Sequence, residues 1–230
     1  LNKALMLYAN LMRTKGWDAE LQGFQAQVIA AKVPLPAQLE VILTTFESQL
    51  GKRRWREIRD SAAVLGRVAP LALEAEADPI RREKLEAHTS KLMAQAIDTL
   101  QKSFSISKGR PEYREISVAL LFCYDLLLKT TPEPKAQVKV RFNIAETYSA
   151  MGDLKTAALK YRAVLELAGQ VSAVERPLIE KAAFLALSAR YEALAQVGAF
   201  PKELKPVAMA AAVEKKLEAS LEEWLSWVDE

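Results

Sequence analysis

The single histidine and the single cysteine are the first candidates for chemistry in this sequence. A general acid or base needs an orienting partner and a reacting group within reach. The residues one helical turn from His88 are Lys84 and Lys91, and a lysine cannot orient an imidazole as a carboxylate does. Cys123 lies in a very apolar stretch, where a free cysteine behaves as a small buried hydrophobe. We therefore expect a surface histidine, an inert thiol and no catalytic residue.

Motifs that bind cofactors or metals are also missing from the sequence. It contains no G-x-G-x-x-G, no phosphate-binding G-x-x-x-x-G-K-[ST], no G-x-S-x-G and no H-E-x-x-H. One cysteine and one histidine cannot build a zinc site of the C-x-x-C type. The 8 glycines are scattered singly, which argues against a phosphate-cradling loop. The sequence predicts a non-catalytic protein with no cofactor and no metal ion.

A basic run beginning at Lys52 is the strongest local charge feature. Residues 51–67 hold six basic and two acidic side chains. Helical spacing predicts that Trp55 is buried, so that Arg53, Arg54 and Arg56 become candidate partner-binding residues. We favour a solvated face or intramolecular salt bridges for this run. An acidic protein partner is the next interpretation, and nucleic acid or an anionic membrane is the least favoured.

Composition and length indicate the elements that must position these residues. The chain has 230 residues, with 37 alanines and 32 leucines, and is 50% hydrophobic and 27% charged. This apolar content excludes a disordered chain, and a net charge of +3 is too small to imply nucleic acid. No run of about 18 apolar residues occurs, so no transmembrane segment is predicted. Apolar residues recur at i, i+3, i+4 and i+7, and strand signals are almost absent, which predicts an all-α fold.

The breaks in this periodicity predict about ten helices. The clearest breaks are prolines, single glycines and a polar loop at 103–110. They delimit a first predicted helix that begins at once and ends at Lys15-Gly16, and further helices at about 17–32, 37–50, 52–66, 79–104 and 112–130, while residues 67–78 are ambiguous. Short connections favour antiparallel hairpins, and each hairpin has too little apolar surface to be stable alone. The hairpins are therefore expected to stack.

Residues 138–171 carry a more specific signature. Asn143-Ile144-Ala145 and Tyr148 are followed by Gly152-Asp153 and then by Ala157, Tyr161 and Leu165-Glu166-Leu167. Alanine suits the close approach of two helices, and Gly152 suits the left-handed conformation that ends a helix. The pattern resembles a tetratricopeptide repeat (TPR). A weaker echo begins near residue 181, and residues 1–33 and 36–66 have the length of degenerate TPR-like units.

The resemblance implies a right-handed α-solenoid of stacked antiparallel helix hairpins. Such proteins usually bind a peptide or protein partner in a concave groove lined by the first helix of each repeat. In the matched repeat, the groove positions correspond to Lys139, Phe142, Asn143, Glu146 and Ser149. Asn143 offers a donor and an acceptor to an extended peptide, although the alternative is that it stabilises its own hairpin. The resemblance therefore implies a non-catalytic protein–protein interaction scaffold.

The sequence also predicts how the chain is organised. Residues 1–110 form degenerate hairpins, and residues 111–230 contain the best repeat and a last helix at about 203–228. This helix combines Leu217, Leu221 and Trp224 with a charged face, which is typical of a capping helix. A docking site built on its tryptophans is the alternative.

Several questions stay open at the level of the sequence. The start at Leu1 suggests a fragment or mature region of a longer protein, in the cytoplasm or a periplasm. A structural spacer within a larger envelope or secretion assembly is a second functional interpretation. The sequence does not indicate an oligomeric state.

Overall fold

A computed structural model describes residues 2–131 and 133–196 of the chain. These residues form α-helices, turns and one short 3₁₀-helix, with no strand among them, so the all-α prediction is confirmed. The chain divides into two compact units, Leu1–Thr130 and Thr131–Glu230. Each unit is described separately below.

The first unit contains six of the described helices. They are α1 (Asn2–Lys15), α2 (Asp18–Ala30), α3 (Leu35–Gly51), α4 (Trp55–Ala75), α5 (Pro79–Ile106) and α6 (Tyr113–Thr130). Helix α3 is central, because 13 of its 17 residues are buried and it packs against α1, α2, α4 and α5. Helix α6 packs against both α4 and α5. The apolar spacing read from the sequence therefore corresponds to helix faces that are buried against neighbouring helices.

The fourth helix differs from its predicted bounds of 52–66. It begins at Trp55, because the backbone of Lys52 still closes α3 and Arg53 has a positive φ of 52° that no helix interior accommodates. It continues past Pro70 to Ala75, and so includes most of the stretch that the sequence left ambiguous. Ala69 and Ala72 on either side of the proline are fully buried, so packing maintains the helix there despite the missing N–H.

The second unit contains α7 (Pro134–Ala150), α8 (Leu154–Leu165) and α9 (Arg176–Gln196) among its described residues. A 3₁₀-helix at Ala168–Gln170 lies between α8 and α9. Helix α8 packs against both α7 and α9, and its buried residues include Ala157, Tyr161 and Val164. The predicted helix at about 203–228 lies outside the described residues.

Candidate functional site

The turn between α7 and α8 has the geometry that its residues predict. Gly152 has a φ of +81°, and the Asp153 backbone N–H donates to the carbonyl oxygen of Tyr148 at 3.0 Å. The Asp153 side chain then caps α8 by accepting from the backbone N–H of Thr156 at 3.1 Å. Glycine therefore ends the first helix and aspartate begins the second, so that the two helices form an antiparallel hairpin.

Small residues on both helices of this hairpin are buried in the same core. Ala145 on α7 and Ala157 on α8 are both fully buried. Tyr161 is also buried, whereas Tyr148 is only partly buried. Of the two tyrosines in the signature, Tyr161 is therefore the more deeply buried in the core of the hairpin.

Four of the predicted partner-binding residues form a polar row on α7. Lys139 and Glu146 are exposed, and Asn143 and Ser149 are partly buried. Their spacing of i, i+4, i+7 and i+10 places them along one side of the helix. We name these four residues the α7 stripe. It offers a cation, an amide, a carboxylate and a hydroxyl, which together can donate and accept hydrogen bonds along an extended peptide.

Phe142, the fifth predicted partner-binding residue, does not belong to this row. Its side chain is only 5% exposed and lies edge-on to Tyr161, with ring centroids 5.6 Å apart. The ammonium nitrogen of Lys181 on α9 lies 5.0 Å from its ring centroid. The structure therefore places Phe142 in the core of the second unit, in contact with both neighbouring helices.

A hydrogen bond anchors the α7 stripe to α8. The Tyr161 hydroxyl donates to the Glu146 carboxylate. Burial raises the pKa of Tyr161, and the hydrogen bond and the negative charge of Glu146 raise it further, so the phenol remains protonated. Nothing in the sequence pairs these residues, because they lie on different helices and meet only when the hairpin closes.

Arg141 makes a second link between α7 and the end of α8. Its guanidinium donates to the Ala163 carbonyl oxygen at 3.0 Å and to the Gln137 side chain at 3.2 Å. The last turn of a helix leaves its carbonyl groups without partners inside the helix. Arg141 satisfies one such group near the end of α8, and so holds the two helices in register beside the stripe.

Two residues of the basic run, Lys52 and Arg54, form ion pairs within the first unit. The Lys52 ammonium lies 2.6 Å from both carboxylate oxygens of Asp18, and Arg54 lies 2.9 Å from one of them. The Ser48 hydroxyl donates to the same carboxylate at 3.1 Å. We name Asp18, Ser48, Lys52 and Arg54 the Asp18 clamp. It fastens the start of α2 to the turn between α3 and α4.

The electrostatics of the Asp18 clamp favour an ionised carboxylate. Partial burial acts to raise the pKa of Asp18, but hydrogen bonds from Lys52 and Ser48 and the charges of Arg54 and Lys52 outweigh it. The pKa of Asp18 is therefore lowered below its usual value. Sequence analysis found the cations but missed this partner, because Asp18 lies 34 residues before Lys52 in the chain.

The remaining residues of the basic run have different surroundings. Arg59 bonds to Asp60 at 2.7 Å and also to the Glu115 carboxylate of α6. Arg53 and Arg56 are exposed. Three of the cations therefore hold the first unit together, which agrees with the interpretation of intramolecular salt bridges. Arg53, Arg56 and Arg67 are the exposed members of the run that belong neither to the Asp18 clamp nor to the ion pairs of Arg59.

The single histidine and the single cysteine lie in different surroundings. His88 is exposed on α5. Cys123 is fully buried on α6, and burial raises the pKa of its thiol to about 12, so the reactive thiolate is not formed near neutral pH. Within residues 2–131 and 133–196, no group of three or more His, Cys, Asp or Glu side chains is placed to hold a metal ion.

A groove between α8 and α9 is a feature that sequence analysis did not anticipate. Its volume is about 670 Å³, and its lining is mainly apolar but includes three cations. The lining residues include Asp153, Lys155, Ala158, Leu159, Arg162, Arg190, Ala193, Leu194 and Gln196. We name this feature the α8–α9 groove. It lies on the opposite side of α8 from its packing against α7, as the exposure of Leu159 at 59% and the burial of Tyr161 indicate.

Comparisons of the chain with protein-family models, with curated proteins and with solved structures found no match. Among the described helices, none has the length and apolar character needed to cross a bilayer.

Proposed function

We propose that this chain is a non-catalytic interaction scaffold that binds an extended peptide or protein segment along the α7 stripe. The observation that carries the proposal is the polar row of Lys139, Asn143, Glu146 and Ser149 on the first helix of a TPR-like hairpin. Its backing is rigid, because Tyr161 and Arg141 tie α7 to α8. A preorganised row of donors and acceptors lowers the entropic cost of binding a flexible ligand.

The same proposal extends to the architecture. We infer a right-handed α-solenoid in which α7 and α9 are first helices and α8 is a second helix. The hairpin features that support it are the left-handed Gly152, the capping Asp153 and the buried alanines at the helix crossing. In such a stack, the first helices line the concave side, and the α7 stripe would face the ligand.

Recognition would depend on the peptide backbone and on one complementary charge pair. The Asn143 amide offers a donor and an acceptor to a main-chain amide, and Lys139 and Glu146 offer opposite charges about two helical turns apart. A ligand with an acidic and a basic residue in matching order satisfies both. The stripe lacks the cluster of cations needed to bind a free carboxyl terminus, so an internal segment is the better ligand.

The test begins with selection from a displayed library of random dodecapeptides on the immobilised full chain. Affinity for the selected peptides is then measured by fluorescence anisotropy. The variant K139A/N143A/E146Q removes the functional groups of the stripe, and glutamine keeps an oxygen that can accept from Tyr161. We expect this variant to weaken binding by about tenfold or more, which corresponds to about 1.4 kcal/mol.

A matched control removes an amide, a carboxylate and a cation from the helices that the proposal takes as the second helix of each hairpin. Gln27, Glu74 and Lys160 are exposed on α2, α4 and α8. The variant Q27A/E74A/K160A is expected to bind within about twofold of the original chain. Equal loss in both variants would contradict the proposal.

Two further outcomes identify the alternatives. Binding that survives K139A/N143A/E146Q but is lost in R53E/R56E would transfer the site to the exposed part of the basic run. That result would favour an acidic partner, because R53E/R56E reverses two positive charges. The variant leaves the Asp18 clamp intact, so the loss of binding would not come from a weakened fold. Failure to select any peptide would favour a structural spacer.

A further inference from the structure

The lining of the α8–α9 groove combines apolar residues with three cations. On α8, Lys155, Leu159 and Arg162 recur at i, i+4 and i+7, and so lie along one side of the helix. The Leu159 side chain is 59% exposed and belongs to the mainly apolar lining of the groove. A concave surface with a mainly apolar lining is typical of a site that another segment covers.

The charge of the groove selects the chemistry of that segment. Its lining includes Lys155, Arg162 and Arg190, and Asp153 is the one carboxylate among the described residues that line it. Asp153 is already engaged as the N-cap of α8, where it accepts from the Thr156 backbone at 3.1 Å. A suitable occupant therefore has an apolar face for Leu159 and carboxylates beside that face.

Residues 217–230 of the same chain form such a segment. Residues 217–230 contain five carboxylates and no cation, at Glu218, Glu222, Glu223, Asp229 and Glu230. Apolar residues recur at i, i+4, i+7, i+8 and i+11, as Leu217, Leu221, Trp224, Leu225 and Val228. This spacing predicts one apolar face with carboxylates on both sides of it. Helix α8 has 12 residues, which matches the length of the stretch from 217 to 228.

The path of the chain makes the encounter intramolecular. Gln196 lines the groove and is also the last described residue, so the chain leaves the described part at this groove. Residues 197–216 can span far more than the length of α8, at about 3.3 Å per extended residue. A linker of this length holds the segment near the groove at a millimolar effective concentration, which favours it over a free competitor.

We propose that the α8–α9 groove is the docking site for residues 217–230 of the same chain. The apolar residues of the segment cover Leu159 and Leu194, and its carboxylates meet Lys155, Arg162 and Arg190 at the edges. This docking is separate from peptide binding by the α7 stripe, so either proposal can fail without the other.

The test is chemical cross-linking in the full chain. Leu159→Cys is combined in turn with Leu217→Cys, Leu221→Cys and Leu225→Cys, and each pair is treated with a short bis-maleimide. Cys123 stays in place, because its fully buried thiol does not react while the chain is folded. We expect at least one pair to form a cross-link within a single chain, identified by mass spectrometry of the monomer band.

Phe184→Cys provides the matched control. Phe184 lies on α9 outside the groove lining and is 63% exposed, which is close to the 59% of Leu159. Paired with the same three C-terminal cysteines, it is expected to cross-link at least about tenfold more slowly, because the tether acts on both positions and only docking holds the segment beside Leu159. Equal rates for the Leu159 and Phe184 series would overturn the proposal.

Charge exchange tests the electrostatic part. The substitutions K155E/R162E should slow cross-linking of the best pair by about tenfold, and adding E222K/E223K should restore it. Restoration also excludes misfolding as the cause of the loss. No effect of K155E/R162E, or cross-links only between two chains, would refute docking as proposed, and the second result would assign the groove to another copy.

Discussion

Replacing Asp18 by asparagine tests whether the basic run is a structural device. The substitution keeps the size of the side chain and its ability to accept from the Ser48 hydroxyl, but removes the charge that Lys52 and Arg54 share. The clamp joins α2 to the turn before α4, so its loss weakens the packing of the first unit. We expect D18N to lower the free energy of unfolding.

The size of the effect follows from the exposure of the three partners. The side chains of Lys52 and Arg54 are 40% and 42% exposed, so solvent reduces each ion pair to roughly 0.2–1 kcal/mol. Asp18 is only 14% exposed and is the first residue of α2, where a negative charge adds about 0.3–1 kcal/mol through the helix dipole. Together these contributions give an expected loss of about 0.7–3 kcal/mol.

Urea unfolding followed by circular dichroism at 222 nm measures this loss. The control is D98N, because Asp98 and Lys102 are also 2.6 Å apart but their side chains are 62% and 75% exposed. This exposed i, i+4 pair should contribute about 0.3–0.5 kcal/mol. The Asp18–Lys52 and Asp98–Lys102 pairs have the same distance but differ in burial. Comparing D18N with D98N therefore isolates the contribution of the clamp.

The pH dependence has a definite sign. The folded-state pKa of Asp18 is lowered, so the stabilisation is present above the unfolded-state pKa of about 3.9 and is lost as the pH falls through the folded-state pKa. The original chain and D18N should differ at pH 7 and converge in strong acid. Equal losses for D18N and D98N, or a difference that persists unchanged at about pH 2, would refute the reasoning.

Three other substitutions or reagents test the described packing. Gly152→Ala is expected to lower the free energy of unfolding in urea by about 1–2 kcal/mol, because the φ of Gly152 is +81°. As the control, Gly66→Ala inside α4 adds a Cβ that meets no atom within 4 Å, and should be neutral or stabilising by up to about 1 kcal/mol. Ala157→Trp should destabilise the fold by about 1–3 kcal/mol because Ala157 is fully buried, whereas Ala168→Trp at an exposed position should not. Equal melting temperatures of the two variants would contradict the α7–α8 packing. A thiol reagent at pH 8 should leave Cys123 unmodified in the folded chain and label it after urea unfolding; rapid labelling of the folded chain would show that α6 is not packed as described.

The positions of most helices were predictable because their signals are local. Pro34 precedes α3 and Pro36 lies in its first turn, and Gly152-Asp153 separates α7 from α8. These residues act through their own backbone, whatever surrounds them. The same local rules misplaced the start of α4, because Lys52 and Arg53 have acceptable helix propensity and only the clamp and the turn hold them outside the helix.

The candidate site was only partly predictable for a related reason. Periodicity places Lys139, Asn143, Glu146 and Phe142 within two turns of one helix, and it cannot say which of them a neighbouring helix will cover. The packing of α8 and α9 buries Phe142 and leaves the polar residues as a row. The α8–α9 groove was missed altogether, because a concave surface between helices has no local signal.

The sequence by itself determined the all-α class, the approximate helix ends and the short-range chemistry of the α7–α8 turn. These features depend on interactions within a few residues, such as helix propensity, capping and the conformational freedom of glycine. Only the tertiary structure decided which cations are structural, which aromatic ring is buried and where the surface becomes concave. Asp18 meets Lys52, and Glu146 meets Tyr161, only after separate helices have packed, because each pair is distant in the chain.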